Sequence, residues 1–266
     1  MLKTRVIVAV IFAPLLALLV WLGGYWLGGL CVAIAMVGLW EYLQLTLGSK
    51  EAYAKAFAYA LGIAVCIGTL GWRYSVPLGT LWPLSTIVLL LSALLRPEPI
   101  DASIRRTAFM VLGVGYCCGL IPYLSLLRDT TGGLGFAFGA LFCTWASDTG
   151  AYFAGRALGK HKLYPKISPS KTIEGLVGGL LLSVLVAVLV RHFFALPISM
   201  VDAVVIGCIA ALLGTAGDLC ESMLKRSVGA KDSSTLIPGH GGVLDRFDAV
   251  MFVAPAIYLY LAVFVF

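Results

Sequence analysis

The sequence predicts an all-α fold, a polytopic transmembrane helical bundle of about nine helices. Apolar residues make up 61% of the 266 positions, charged residues make up only 12%, and the apolar residues are gathered into long runs without charge. A soluble domain carries about 25% charged residues, so this chain has too little polar surface to face water on every side. The runs also exceed the roughly 10 residues of a barrel strand, which favours helices over a transmembrane barrel.

The charge-free runs place the predicted helices. Between Arg5 and Glu41 lie 35 residues without a charge. One crossing needs roughly 20 residues, so we divide this run into two helices at its paired glycines. Seven further runs complete the set: residues 56–72, 74–95, 107–127, 130–147, 175–190, 203–217 and 249–266.

The unusual polar residues divide the chain unevenly. We predict one integral membrane domain over residues 1–266, in which residues 1–130 form a scaffold and residues 131–266 carry the chemistry. The first part has no acidic residue well inside a predicted span, since Glu41 and Glu51 bracket a connection. Acidic residues at membrane depth are expensive and mark functional sites, and nearly all of them fall in the second part.

The basic residues predict the orientation. Nine helices with a cytoplasmic N-terminus place 16 of the 19 lysines and arginines on the cytoplasmic side. Only Arg73, Arg128 and Arg191 then lie outside. This distribution follows the positive-inside rule, and the reverse orientation would violate it.

The eighth predicted helix carries a polar stripe. Its charge-free part is only 15 residues long, so the helix has to continue through Asp218, Glu221, Ser222 and Lys225 to cross. These positions are spaced i, i+3, i+4 and i+7, which places them on one face. Such a stripe faces the protein interior or a water-filled cavity. The alternative is a structural ion-pair stripe between helices.

Residues 222–248, SMLKRSVGAKDSSTLIPGHGGVLDRFD, combine three features of a phosphate site. Lys225, Arg226 and Lys231 gather positive charge, and the glycines of PGHGG let backbone N–H groups approach an anion closely. Asp245 and Asp248 follow as the ninth helix begins. Magnesium prefers one or two carboxylates plus substrate phosphates, so the combination predicts a polyphosphate site with a divalent ion. His240 either donates to a phosphate oxygen or locks the turn.

A third cluster precedes the seventh helix. Ser168 is a good N-cap residue and Pro169 suits the first helical position, so we expect a helix N-terminus able to receive phosphate. Lys171 and Thr172 would add a charge and a hydroxyl. The alternative is an ordinary capped helix start. Nearby, Asp148 has three open roles: metal ligand, partner of a basic residue, or cap for polar groups.

These residues resemble the signature of the phosphatidate cytidylyltransferases, or CDP-diacylglycerol synthases. The resemblance rests on S-x-L-K-R, K-D, P-G-H-G-G and L-D-R-x-D within residues 222–248. The segments at 148–152, 168–175 and 217–219 are similar to family segments as well. The resemblance implies transfer of the cytidylyl group of CTP to phosphatidic acid, giving CDP-diacylglycerol and pyrophosphate. It also implies Mg²⁺, a bacterial inner membrane and a homodimer, with no nucleic acid as partner.

From these residues we derive a hypothesis for the site. Asp218 and Asp245 hold one or two Mg²⁺ ions, with Asp248 or Asp148 completing the set. The residues expected to act in catalysis are Asp218, Asp245, Lys225 and Arg246. The residues expected to bind substrate are Ser168, Lys171, Thr172, Ser222, Arg226, Lys231, His240, Gly241 and Gly242.

Two rival functions stay open at this stage. A transporter for an anionic solute would also need intramembrane acids and a basic vestibule, although no internal repeat is visible and the motifs concentrate at one face. Another membrane enzyme acting on phosphorylated lipids, such as a polyprenyl-phosphate transferase, would need similar acidic and basic residues. Dependence on CTP discriminates it from the cytidylyltransferase.

Overall fold

A computed structural model describes residues 2–48, 51–71, 81–94, 99–237, 239 and 241–266, with the side chains of residues 2–9, 81 and 82 left out. The helices are α1 (Leu2–Leu22), α2 (Gly24–Leu47), α3 (Ala52–Leu70), α4 (Leu81–Leu94), α5 (Ile100–Gly113), α6 (Tyr123–Arg128), α7 (Gly133–Leu158), α8 (Ile173–Phe193), α9 (Met200–Ser227) and α10 (Leu244–Phe264). A π-helical turn, Val114–Gly119, joins α5 to α6.

The described helices confirm a helical membrane bundle. With α5, the π-turn and α6 counted as one unit, the described residues form nine helical units, which correspond to the nine predicted helices. Six of them are long and apolar enough to cross a membrane: Gly24–Leu47, Ala52–Leu70, Ile100–Arg128, Ile173–Phe193, Met200–Ser227 and Leu244–Phe264. The chain is therefore a multi-pass membrane protein.

Successive helices alternate in direction, and polar contacts tie their ends together at two faces. At one face Glu41 of α2 accepts from the backbone of Leu244, where α10 begins. At the other face Arg128 donates to the carbonyl of Val20 near the end of α1. We call the first the site face, because the polar clusters described below lie there, and the second the opposite face.

Small residues allow α7 and α8 to pack with their backbones in contact. A Cβ placed on Gly150 would meet the carbonyl oxygen of Gly178, and one on Gly178 would overlap the side chain of Ala154. Close approach through small residues is a common way to pack helices in membranes. It holds the α7 end that carries Asp148 against the α8 end that follows Lys171.

The connection between α7 and α8 corrects the predicted start of α8. It forms an antiparallel hairpin of β1 (Lys162–Tyr164) and β2 (Ser168–Thr172), the one sheet among the residues that the structure describes. Ser168 and Pro169 belong to β2, and the prediction of Ser168 as N-cap is wrong. Thr172 caps α8 instead, because its hydroxyl accepts from the Gly175 N–H at 3.1 Å. Strand pairing carries the chain in extended form up to Thr172, so the helix begins four residues later than expected.

The predicted extension of the eighth helix is confirmed. α9 runs without interruption from Met200 to Ser227, and Ser199 and Asp202 form a capping box at its first turn on the opposite face. Glu221 and Lys225 are buried at its far end, as their place on the stripe predicts. α10 then begins at Leu244, which puts Asp245 in its first turn.

Candidate active site

Three helices bring their carboxylates together at the site face. Asp148 of α7 lies within electrostatic range of Asp218 of α9, and both lie within range of Asp248 of α10. The sequence placed these residues on three different predicted helices, and the structure shows that they converge. We call Asp148, Asp218 and Asp248 the acid cluster.

Lys171 reaches the acid cluster from the end of β2. Its ammonium group lies 2.7 Å from the Asp218 carboxylate. The Ser222 hydroxyl donates to the same carboxylate at 3.2 Å, one helical turn further along α9. Two predicted substrate-binding residues thus meet a predicted metal ligand. The pair is partly exposed, so its cation is accessible to an anion from solution.

Lys225 forms a second, more deeply buried ion-pair group. Its ammonium lies 2.6 Å from the Glu221 carboxylate and 2.5 Å from that of Asp245. The three side chains are only 10%, 1% and 6% exposed. These contacts match the alternative interpretation of the polar stripe on α9, a structural ion-pair group between helices. They link α9 to α10. The second Glu221 oxygen, Oε1, is buried without a hydrogen-bond partner among the described residues.

Asp245 also holds the loop between α9 and α10. Its Oδ2 accepts from the backbone N–H of Ser233 at 2.9 Å and from the Gly242 N–H at 2.8 Å, and it lies 2.9 Å from the Ser233 hydroxyl oxygen. Ile237 and Gly241 form an isolated antiparallel bridge that closes the same loop. Gly241 has φ +82, a conformation that favours glycine. In this arrangement both Asp245 oxygens are engaged.

Glu41 is a site residue that the sequence did not predict. It was expected at the edge of the connection that follows α2, whereas the structure places it inside α2, completely buried. Its carboxylate accepts from the hydroxyls of Ser233 (3.0 Å) and Ser234 (2.6 Å) and from the N–H groups of Val243 (2.9 Å) and Leu244 (2.8 Å). The available signal was its position, since it is the first charge after 35 uncharged residues, at the depth where a carboxylate needs a partner.

A polar cavity of about 400 Å³ opens beside the acid cluster. Asp148, Lys171 and Asp218 line it, together with Tyr152 and Arg156 of α7. The Arg156 guanidinium donates to the Tyr152 hydroxyl at 2.7 Å. Ligand pockets measure about 300–1,000 Å³, so the cavity has the size and the charges for a phosphorylated small molecule.

The remaining predicted residues lie around this centre. Thr172 lines the polar cavity, whereas Ser168 lies at the start of β2. Arg226 is exposed and donates to the Ala230 carbonyl, and Lys231 is exposed in the loop. His240 lies outside the described residues.

The carboxylates fit a divalent ion shared with substrate phosphates. Among the residues that the structure describes, no group of three or more His, Cys, Asp or Glu side chains is arranged to hold a metal. Magnesium does not require such a cage, because one or two carboxylates plus phosphate oxygens and water suffice. Asp148 and Asp218 line the polar cavity and supply such carboxylates there.

The fold and this site define a class of protein: a multi-pass membrane protein with carboxylates and cations gathered at one face. The chain belongs to the cytidylyltransferase family, whose model matches residues 3–264. It is 35% identical over 260 residues to the phosphatidate cytidylyltransferase of Staphylococcus haemolyticus. The matched residues cover 97% of this chain and 96% of that protein. The phosphatidate cytidylyltransferases of Staphylococcus saprophyticus (35%) and Staphylococcus aureus strain COL (34%) match over 261 residues each, with the same coverage.

Proposed function

We propose that the acid cluster and the polar cavity beside it are where the chain transfers the cytidylyl group of CTP to phosphatidic acid. The products are CDP-diacylglycerol and pyrophosphate. The activity follows from similarity along nearly the whole chain to phosphatidate cytidylyltransferases. The location is supported above all by one observation, the 2.7 Å ion pair between Lys171 and Asp218 at the wall of the polar cavity.

The chemistry needs charge neutralisation more than a strong base. A phosphate oxygen of phosphatidic acid, already anionic near neutral pH, attacks the α-phosphorus of CTP, and the bond to the β-phosphate oxygen breaks. Pyrophosphate leaves with the electron pair of that bond. Because both reactants are anions, positioning and electrostatic stabilisation supply most of the acceleration.

The cations differ in how accessible they are to a substrate. Lys171 and Thr172 line the polar cavity and are positioned to meet CTP phosphates. Arg226 and Lys231 are exposed near the loop and offer further charge to the triphosphate and the leaving pyrophosphate. Lys225 is held between Glu221 and Asp245, so it acts by orienting Asp245 and lowering the negative charge around it.

The carboxylates are assigned to Mg²⁺. Asp218 and Asp245 are the proposed ligands, with Asp148 or Asp248 completing the set. When bound, the ion neutralises charge on the triphosphate. The oxygens of Asp218 and Asp245 all have protein partners, but the Asp218 side chain is 37% exposed against 6% for Asp245. Asp218, together with the exposed Asp148, therefore offers the more accessible oxygens in this conformation.

The setting is proposed on the same grounds. Nine crossings with a cytoplasmic N-terminus put the site face on the cytoplasmic side of the bacterial inner membrane, where CTP is available. The concentration of basic residues on that side supports this orientation. We also propose a homodimer, from resemblance to the family.

Radiolabelled CTP tests the proposal. The purified protein is supplied with phosphatidic acid and Mg²⁺, and label entering the lipid phase is measured for the wild type, Asp218→Asn and Asp202→Asn. Asp202 is the matched control, because it lies on the same helix at the opposite face and bonds Ser199 and Tyr260. We expect Mg²⁺-dependent labelled lipid from the wild type and Asp202→Asn, and very little from Asp218→Asn.

The alternative outcomes separate the two parts of the proposal. Absence of labelled lipid from folded wild-type protein would contradict the activity. Full turnover by Asp218→Asn at ordinary Mg²⁺ would leave the activity in place and remove the acid cluster from the active site.

A further inference from the structure

A second cavity lies near the acid cluster, separate from the polar cavity. It lies between α1, α2, α7 and α10 and measures about 310 Å³. Its walls are almost wholly apolar and include Leu15, Leu16, Ile34, Trp145 and Phe247. Arg246 is the one charged residue among its described lining residues. We call this cavity the apolar groove.

Arg246 is available to an anion. Arg246 is exposed, and its backbone N–H donates to the Val243 carbonyl, but its guanidinium makes no hydrogen bond or ion pair with the residues that the structure describes. Lys171 and Lys225, by contrast, are each paired with a carboxylate. A guanidinium presents a planar fork of donors that matches phosphate oxygens. An unpaired arginine at the end of an apolar groove therefore suits a ligand with a phosphate head and a hydrocarbon tail.

The apolar groove comes close to the acid cluster through α7 and α10. Trp145 of α7 lines the groove, and Asp148, three residues later on the same helix, lines the polar cavity. Arg246 lies within electrostatic range of Asp148. A phosphate held by Arg246 would thus lie next to the carboxylates that face a nucleotide in the polar cavity. This juxtaposition is what a transfer between a lipid phosphate and a soluble nucleotide requires.

We propose that the apolar groove binds phosphatidic acid, with the lipid phosphate at Arg246 and an acyl chain between α1 and α10. The proposal rests on the proposed function and adds the location of its lipid substrate. A larger cavity of about 830 Å³ lies between α3, α4, α5, the π-turn and α10, but no charged side chain is among its described lining residues. This larger cavity has room for an acyl chain, but it provides no cation for the lipid phosphate. We therefore assign the lipid to the apolar groove.

Two leucines of α1 provide a matched test. Leu15 lines the apolar groove and is 46% exposed, whereas Leu18 is 50% exposed and does not line it. Leu15→Trp should fill the groove and raise the KM for dioleoyl phosphatidic acid about tenfold, the scale on which a hydrophobic pocket discriminates shape. The KM for CTP should stay unchanged. Leu18→Trp should leave both constants within about twofold of the wild type, as expected for a surface substitution.

Three outcomes would overturn the assignment. An unchanged KM for phosphatidic acid in Leu15→Trp, while the wild type is active, would remove the lipid from this groove and leave the proposed function intact. An increase caused by Leu112→Trp instead would place the lipid in the larger cavity, which Leu112 lines. Equal increases for CTP and lipid in a folded Leu15→Trp variant would show a general disturbance of the site.

Photo-crosslinking gives an answer that does not depend on any variant folding. Phosphatidic acid with a diazirine on one acyl chain is irradiated with the wild-type protein, and the labelled peptides are identified by mass spectrometry. Adducts in α1 or around Trp145 support the proposal. Adducts confined to α3, α4 and α5 contradict it. An inactive wild type in the companion assay would instead signal failure of the proposed function.

Discussion

The Glu41 carboxylate of α2 accepts a hydrogen bond of 3.0 Å from the hydroxyl of Ser233, which lies 192 residues later in the loop before α10. The same Ser233 hydroxyl lies 2.9 Å from the carboxylate of Asp245. One serine thus connects a buried acid of the first half of the chain to a proposed metal ligand of the second half. A helix predicted to be scaffold, α2, therefore contacts the loop between α9 and α10 directly.

Glu41→Gln should lower kcat about tenfold while leaving the KM for CTP nearly unchanged. The amide keeps one acceptor oxygen but turns N–H donors toward the N–H group of either Val243 or Leu244, so the loop loses its alignment. Steady-state kinetics measure the effect, and Glu41→Asp, which keeps the charge, should recover part of it. Gln44→Ala is the control, because Gln44 lies on the same helix and bonds Lys55 instead of the loop. An equal loss in the control would contradict a positioning role for Glu41.

Replacing Lys225 should mainly lower the stability of the protein, whereas replacing Lys171 should mainly weaken the binding of CTP. Lys225→Met leaves two buried carboxylates without their cation, and breaking a buried ion pair costs about 3–5 kcal/mol. Its thermal unfolding midpoint in detergent should fall sharply, and activity should fall with it. Lys171→Met breaks a partly exposed pair worth about 0–1 kcal/mol, so stability should hardly change while the KM for CTP rises. Similar midpoints for the two variants would contradict the difference in burial on which this prediction depends.

Gly242→Ala should abolish most activity by disturbing the loop. An added Cβ would overlap both the Ser233 hydroxyl and the Glu41 carboxylate. These two groups would have to move, and the hydrogen bond between them would lose its geometry. Gly29→Ala is the matched control, because a Cβ there meets open space and alanine favours a helix by about 1 kcal/mol over glycine. Turnover and unfolding midpoint are measured for both. Normal turnover by Gly242→Ala would show that the loop tolerates displacement.

The cap of α8 predicts a contrast between Thr172 and Ser168. Thr172→Ala removes the side chain that accepts from Gly175 and should cost about 1 kcal/mol of stability, which Thr172→Ser should restore. Ser168→Ala should leave the unfolding midpoint unchanged, since Ser168 lies in β2 and caps no helix. Thermal unfolding of the three variants tests this. A larger loss for Ser168→Ala than for Thr172→Ala would contradict the structural assignment.

The elements that the sequence predicted correctly depend on local signals. Long apolar runs indicate helices, because a chain in lipid has to satisfy its backbone hydrogen bonds within each helix. The short eighth run required α9 to extend through Asp218 to Lys225, and helical spacing placed these residues on one face. The signature within residues 222–248 indicated the chemistry without any knowledge of packing.

The sequence by itself therefore determined the helical membrane class, the helix positions and the part of the chain that carries the charged motifs. Only the tertiary structure decided that Glu41 reaches the loop, that Lys225 pairs with both Glu221 and Asp245, and that Thr172 instead of Ser168 caps α8. It also revealed that Arg246 closes an apolar groove beside the acid cluster. The physical reason is that these features arise from contacts between residues far apart in the chain. Helical period and run length report only on the conformation of neighbouring residues.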